Sequence, residues 1–368
     1  MKKLLLRINK NSTNYPIIIG PNIAKNFSSI LKKYNFKFSR YLFVIDKNVP
    51  SQIVKTIHKS IVKSNKKIHF FTANEKNKNQ KNVNKILNIL LNENYSREDC
   101  LIAVGGGITG DITAFAASTF KRGINFINIP TTFLAQVDSS IGGKTGINTK
   151  NGKNLIGTFY QPKLVLSDTN FLKTLKKREI VCGYAEVLKH SIIANRKFYL
   201  YLNKNIKKIL NLKSPFIEKS VFESCKIKKE IVERDEKENE LRKALNFGHT
   251  FAHAYEATLN YSKKLNHGEA VILGMKTALN FSYKKNIINK SNYSEIIEHI
   301  ENSNLPNKLK KFFSLKDVKK IISFMNNDKK NKSNRINVIL LKKISKPIIN
   351  KYYSQKHLFE FLKKELNN

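Results

Sequence analysis

The chain has 368 residues, 41% hydrophobic and 10% aromatic, and its 68 Lys and Arg against 27 Asp and Glu give a formal net charge of +41. That length supports two domains with a core in each, and that apolar content excludes a disordered polyelectrolyte. Lysine, asparagine and isoleucine recur in every region instead of gathering on one motif, so the charge reads as composition bias and no nucleic-acid partner is expected.

The opening Met1–Arg7 is basic, then apolar, and Arg7 ends the apolar run too early for a signal peptide. No stretch of about 18 apolar residues occurs, so no membrane segment is expected. Cys100, Cys182 and Cys225 are odd in number and widely spaced, which fits free thiols in a reducing cytoplasm.

In chain order, the opening "LLLRI" and "YPIII" are expected to pair as a hairpin. "YLFVID" (41–46) reads as a buried strand, and "KIHFF" (67–71), "DCLIAV" (99–104) and "INFINIP" (124–130) as further strands. A helix follows Pro50, "NKILNILLNEN" (84–94) has the apolar spacing of an amphipathic helix, and "TGDITAFAAS" forms another. Alternating strands and helices predict a parallel, Rossmann-like α/β sheet. Beyond about residue 175 the pattern changes to helices at 179–210, 216–235, 244–260 and 268–285, with one late β-like run at 335–341. The expected division is an α/β domain over 1–175 and a mostly α-helical domain over 176–368. The Lys/Asn tracts 74–85 and 326–334 read as loops.

"VGGGITGD" follows a strand and opens a helix, so Gly105, Gly107 and Gly110 satisfy G-x-G-x-x-G in the right context. Glycines let a backbone approach a pyrophosphate whose charge the helix N-terminus favours, although a tight strand–helix turn needs the same residues. The acidic residue expected about 20 positions on is absent, and Asp46, ending an earlier strand, is the better partner for a ribose hydroxyl. Lys144, Lys153 and Asn154, in the polar glycine-rich stretch 130–162, suit an anion. "LNFGHTFAHAYE" puts His249 and His253 four apart, where one helical face could bring both to one metal ion.

The run "PTTFLAQVDSSIGGKTGINTKNGKNLIGTFYQP" is similar to the signature region of the 3-dehydroquinate synthase family of sugar-phosphate cyclases. The resemblance continues through "GGGITGDITAFAASTFKRG", "REIVCGYAEVLKHSII", "RDEKENELRKALNFGHTFAHAYE" and "LNHGEAV", in consistent order over roughly 40–345. It implies an N-terminal NAD-binding Rossmann-like α/β domain, a helical domain carrying one divalent metal (zinc or cobalt), an active site between the two, and a homodimer. The implied reaction converts 3-deoxy-D-arabino-heptulosonate 7-phosphate to 3-dehydroquinate and phosphate. In it NAD is transiently reduced, phosphate is eliminated and an aldol addition closes the ring.

By resemblance the metal ligands are Glu186, His249 and His267, which separates the histidine pair: His253 matches a histidine that contacts the substrate phosphate. The NAD side comprises Asp46, Asn48, Glu75, Lys78, Gly105, Gly106, Gly107, Asp111, Thr131, Thr132, Lys144, Lys153, Phe171 and Thr174. The substrate side comprises Arg122, Asp138, Lys144, Asn154, Lys189, Lys228, Arg242, Asn246 and His253, with Arg122 reaching across the dimer. One of Lys329 and Lys330 adds to phosphate binding. Two departures bear on these positions: Ala73-Asn74 stand where the family shows Asp-Gly, and Glu240 where glycine is usual. A 2-deoxy-scyllo-inosose or valiolone-type synthase is the main rival, and its substrate has no carboxylate for Arg242 and Asn246.

Overall fold

The computed structural model describes residues 1–8, 13–61, 65–303, 305–326 and 335–367. The chain forms two compact units, Met1–Lys176 with Leu212–Glu236, and Lys177–Asn211 with Lys237–Asn368.

The strands of the first unit are β1 (Lys2–Ile8), β2 (Thr13–Gly20), β3 (Arg40–Asp46), β4 (Asn65–Phe71), β5 (Cys100–Gly105), β6 (Asn125–Pro130), β7 (Ile147–Thr149), β8 (Gly152–Ile156) and β9 (Leu164–Asp168). β7 and β8 make a separate ribbon, and the other seven form one sheet in the order β1-β2-β9-β6-β5-β3-β4. β1 runs antiparallel to β2, the expected hairpin, and every other neighbouring pair in that sheet is parallel. Both faces are covered, as a parallel sheet requires. On β3, Tyr41, Phe43 and Ile45 point to a core shared with α1 (Phe27–Lys33) and α2 (Ser51–Ser60). Leu42 and Val44, one residue out of phase, point to the opposite core with α3 (Gln80–Asn92) and α4 (Gly107–Thr119). The tract 74–85, read as a loop, is helical from Gln80, because the Asn79 side chain caps α3 by accepting from Asn82 N.

β3 leads through α2 to β4 on one side of it, whereas β5 lies on its other side and leads through α4 to β6. The connections after β3 and β5 therefore diverge. The C-terminal ends of this strand pair are the point in such sheets where a ligand is received.

The helix expected over 179–210 is two, α5 (Lys177–Ala194) and α6 (Arg196–Leu210). Asn195 between them is extended and caps α6 by accepting from Phe198 N at 2.9 Å. Helix α7 (Phe216–Arg234) falls inside the range 176–368 read as the helical domain, yet Leu212–Glu236 belongs to the first unit. There Glu233 Oε1 accepts from Arg7 N at 2.6 Å, and Lys2 lies 4.9 Å over the Phe222 ring. Helical periodicity shows that a helix forms and does not show which surface it covers.

The second unit continues with α8 (His249–Thr258), α9 (His267–Lys284), α10 (Lys290–Asn302), α11 (Val318–Asn326) and α12 (Gln355–Asn367). The single run expected at 335–341 is divided between β10 (Arg335–Asn337) and β11 (Leu340–Lys343). These pair with β13 (Tyr352–Ser354) and β12 (Lys346–Ile348) in separate ribbons. Among the described residues no helix is long and apolar enough to cross a membrane.

A buried histidine ties α10 into this unit. His299 Nδ1 donates to Asn203 Oδ1 and Nε2 accepts from the Tyr184 hydroxyl, both at 2.9 Å. Burial lowers its pKa from 6.5 to about 4. Between about pH 4 and 6.5 the folded chain therefore keeps this ring neutral while the unfolded chain protonates it. The stability it contributes is complete above about pH 6.5 and is lost as pH falls through the folded value, on the order of 3 kcal/mol at most. Urea unfolding at pH 7 and pH 5 should show a larger acid loss for the wild-type chain than for His299→Gln. Equal losses would remove His299 as the cause.

Candidate active site

In the first unit the residues assigned to the nucleotide gather at the C-terminal edge of the sheet. Asp46 closes β3, and its Oδ1 accepts from the backbone and side-chain nitrogens of Asn48, each at 3.0 Å. Gly105, Gly106 and Gly107 join β5 to the N-terminus of α4, whose free N–H groups and dipole favour an anion. Thr131 and Thr132 follow β6, where Thr131 N donates to Gly105 O at 2.9 Å and Thr132 Oγ1 accepts from Ala135 N at 3.2 Å. The turn after β9 carries Phe171, buried in the α1–α2 core, and Thr174, which donates to Phe171 O at 2.7 Å.

A polar network lies beside this edge. Buried Lys78 donates to Asp111 Oδ2 and, at 2.6 Å, to Asn154 Oδ1. Burial pushes the Asp111 carboxyl up and the Lys78 cation opposes that shift. Glu75 accepts from Lys153 at 3.0 Å and from Asn148 at 2.8 Å. The Ala73-Asn74 departure leaves the turn closed: Asn74 Oδ1 accepts from Asn77 N at 2.8 Å and Asn74 O from Lys78 N at 3.1 Å. Asn148, outside the expected set, clamps Glu75. Elsewhere in this unit, buried Lys228 on α7 donates to Asp138 through both Oδ1 (2.7 Å) and the backbone oxygen (2.6 Å). Lys144 is exposed and bridges to Phe159 through its backbone. Arg122 is not brought to this edge. It follows the far end of α4, and 13 residues of helix span about 20 Å.

In the second unit Glu186 on α5, His249 opening α8 and His267 opening α9 converge. His249 Nε2 and His267 Nε2 lie 3.4 and 3.8 Å from Glu186 Oε1, and one ligand atom from each residue lies within 4.8 Å of the others. Donors about 2.1 Å from a tetrahedral centre stand about 3.4 Å apart, so this set fits a divalent ion. Burial first, and the Lys189 cation second, push the His249 imidazole below its usual range, which keeps it neutral and able to donate a lone pair. Its Nδ1 lies 3.4 Å from Phe247 O, leaving Nε2 toward Glu186. Glu186 Oε2 accepts from Lys189, and both side chains are almost wholly buried. His253, one turn beyond His249, has its ring 5.3 Å from the His249 ring and 6.2 Å from that of His267. His267 Nδ1 lies 3.1 Å from Glu256 Oε2 on α8.

Two glycines make this convergence possible. Gly248 holds φ +81°, and a Cβ on it would lie 2.6 Å from Met275 N of α9, so α8 can start there only as glycine. A Cβ on Gly268 would overlap the backbone of Cys182 on α5, whose Sγ accepts from Gly268 N at 3.1 Å. Burial pushes the Cys182 thiol up to about 12, so it acts here as a neutral acceptor. The turn before α9 is held by Arg178, which pairs with both oxygens of Glu269 and donates to Lys263 O at 2.6 Å and Lys264 O at 2.8 Å.

Arg242 is only 2% exposed, within the turn Leu241–Asn246, and Asn246 donates to Glu238 Oε1. Glu240, where the family usually has glycine, has φ −138°, outside the left-handed region, and an exposed side chain. A cavity of about 70 Å³ is lined by Lys243, Asn246, His249, Thr250, His253, Asn337 and Ile339. A larger one, about 750 Å³, lies among Lys290, Lys342, Lys343 and Lys346 and holds none of the expected site residues. Lys329 and Lys330 lie outside the described residues.

A family model described as 3-dehydroquinate synthase N-terminal matches residues 68–182, and its C-terminal counterpart matches 183–331. The chain belongs to the 3-dehydroquinate synthase family. It is 58% identical over 366 residues to 3-dehydroquinate synthase of Pelagibacter ubique, covering 100% of both chains. It is 38% identical to that of Bartonella quintana, covering 99% of this chain and 98% of the other. Among solved structures, 2-deoxy-scyllo-inosose synthase, complexed with carbaglucose-6-phosphate, NAD+ and Co2+, superposes with TM-score 0.87 at 24% identity over 99% of this chain and 100% of the other. The 2-epi-5-epi-valiolone synthase of Streptomyces hygroscopicus, with NAD+ and Zn2+ bound, gives 0.86 at 21% over 98% and 99%. These two likenesses show the shared fold.

The family motif "HGE" has a steric basis that can be tested. In Gly268→Ala the new methyl must push α9 from α5, and urea unfolding is expected to show a loss of about 2–4 kcal/mol. A loss below about 0.5 kcal/mol would mean that α9 shifts freely.

Proposed function

We propose that the chain is a 3-dehydroquinate synthase, converting 3-deoxy-D-arabino-heptulosonate 7-phosphate to 3-dehydroquinate and phosphate with NAD and one divalent metal. The observation that carries this reading is the 58% identity, end to end, to a relative of that name. The rival cyclases match at 24% and 21% and support only the fold. Met1–Lys176 with Leu212–Glu236 serves as the NAD-binding domain, which includes Lys228 on α7, and Lys177–Asn211 with Lys237–Asn368 as the metal- and substrate-binding domain.

On this reading Asp46 and Asn48 hold a ribose, while Gly105–Gly107 and the α4 N-terminus hold the pyrophosphate. Glu75, Lys78, Asp111, Thr131, Thr132, Lys144, Lys153, Phe171 and Thr174 complete the nucleotide side. Glu186, His249 and His267 hold the metal, zinc or cobalt. When bound, the ion supplies Lewis acidity at a substrate hydroxyl and NAD supplies a two-electron acceptor. Lys189 neutralises one oxygen of Glu186 and leaves the other for the ion. Arg242 and Asn246 receive the substrate carboxylate. Asp138, Lys144, Asn154 and Lys228 orient the sugar acid, and His253 donates a proton beside the departing phosphate. Arg122, displaced about 20 Å along α4, serves the site of a second copy in a homodimer. Three buried or part-buried free thiols suit a cytoplasmic setting.

Incubation of the purified chain with the heptulosonate phosphate, zinc and catalytic NAD should release phosphate without accumulating NADH, since the hydride returns within the turnover. Stoichiometric NADH would instead identify a dehydrogenase.

The two histidines of "GHTFAH" should separate cleanly. His249→Ala is expected to hold little zinc and show almost no turnover, whereas His253→Ala keeps near-stoichiometric zinc and loses phosphate elimination. Zinc content of the two purified variants decides it, and equal loss from both would refute the division.

A further inference from the structure

Glu256 carries none of the roles assigned above, yet it faces the ring nitrogen of His267 turned away from Glu186. An imidazole that presents a lone pair from Nε2 must carry its proton on Nδ1, and a carboxylate acceptor at Nδ1 selects that tautomer and fixes the ring plane. His267 has this arrangement: Nε2 lies 3.8 Å from Glu186 Oε1 and Nδ1 lies 3.1 Å from Glu256 Oε2. The Glu256 side chain is 9% exposed, so water competes little for its oxygens. Glu256 follows His249 by seven residues on α8, two turns along the same face. One helix thus presents both a donor of the triad and the acceptor that orients a second donor.

We propose that Glu256 is a positioning residue for the metal, acting through Nδ1 of His267 to hold the ring and tautomer in which Nε2 faces Glu186 and His249. The inference rests on the reading of that triad as a divalent-metal site. It has a specific competitor, because His253, Glu256 and His267 also offer donor atoms within 4.8 Å of one another. In that arrangement Glu256 would be a ligand.

Zinc affinity, measured on the chelator-stripped full-length chain by competition with a chromophoric chelator, separates these possibilities without recourse to turnover. Glu256→Ala is expected to bind zinc about 10- to 100-fold more weakly, the cost of losing an outer partner of a metal-bound histidine. Glu256→Gln is nearly isosteric and keeps an acceptor oxygen. It should lose only a few-fold, with the metal-free unfolding midpoint unchanged, and it carries the test if the Ala chain does not fold. His253→Ala should bind zinc as tightly as wild type. Wild-type affinity in both Glu256 variants overturns the proposal. So does a loss in His253→Ala matching that of Glu256→Ala, which makes Glu256 a ligand, and so does a wild-type chain that binds no zinc. Tight zinc binding without phosphate release would count against the proposed activity alone and leave the affinity comparison intact.

Discussion

The second unit is organised around one buried carboxylate. The Glu186 side chain is 1% exposed, and removing a carboxylate from water costs several kcal/mol unless charged or hydrogen-bonding partners replace the solvent. Lys189, one helical turn on, supplies a cation to Oε2, and Oε1 faces the Nε2 atoms of His249 and His267 at 3.4 and 3.8 Å. Gly248 and Gly268 let α8 and α9 come close enough for His249 and His267 to arrive, and Arg178 with Glu269 pins the turn from which His267 emerges.

The first unit meets a different constraint. A parallel sheet covered on both faces leaves only its edges for chemistry, and the divergence of connections after β3 and β5 makes their C-terminal ends the accessible point. Asp46 and the three glycines occupy that point, one from each strand. The neighbouring Lys78–Asp111–Asn154 network holds charges already paired in the protein, so a ligand meets groups with fixed geometry and little side-chain entropy left to lose.

The charge of +41 falls into place against this background. With only 27 acidic residues in the chain, Glu75, Asp111, Asp138, Glu186, Glu256 and Glu269 are all held in hydrogen bonds or ion pairs at or beside the expected site residues.

The sequence by itself determined the elements whose signal is local. Buried strands appear as apolar runs at 41–46, 99–104 and 124–130, and the glycine turn after β5 was legible from its spacing. Family motifs supplied Glu186, His249 and His267, three residues up to 81 positions apart that no periodicity would join. What required the tertiary structure was every choice of neighbour. Asn195 divides one apparent helix into two because its side chain caps the second, and α7 joins the sheet unit because the β1–β2 surface receives it. Glu256 lies on the same helical face as His249, but only the packing of α8 against α9 sets its oxygen at Nδ1 of His267. Periodicity records which face of an element is apolar or polar. Which other element meets that face depends on backbone approach, here at Gly248 and Gly268, and that is decided by the packed chain as a whole.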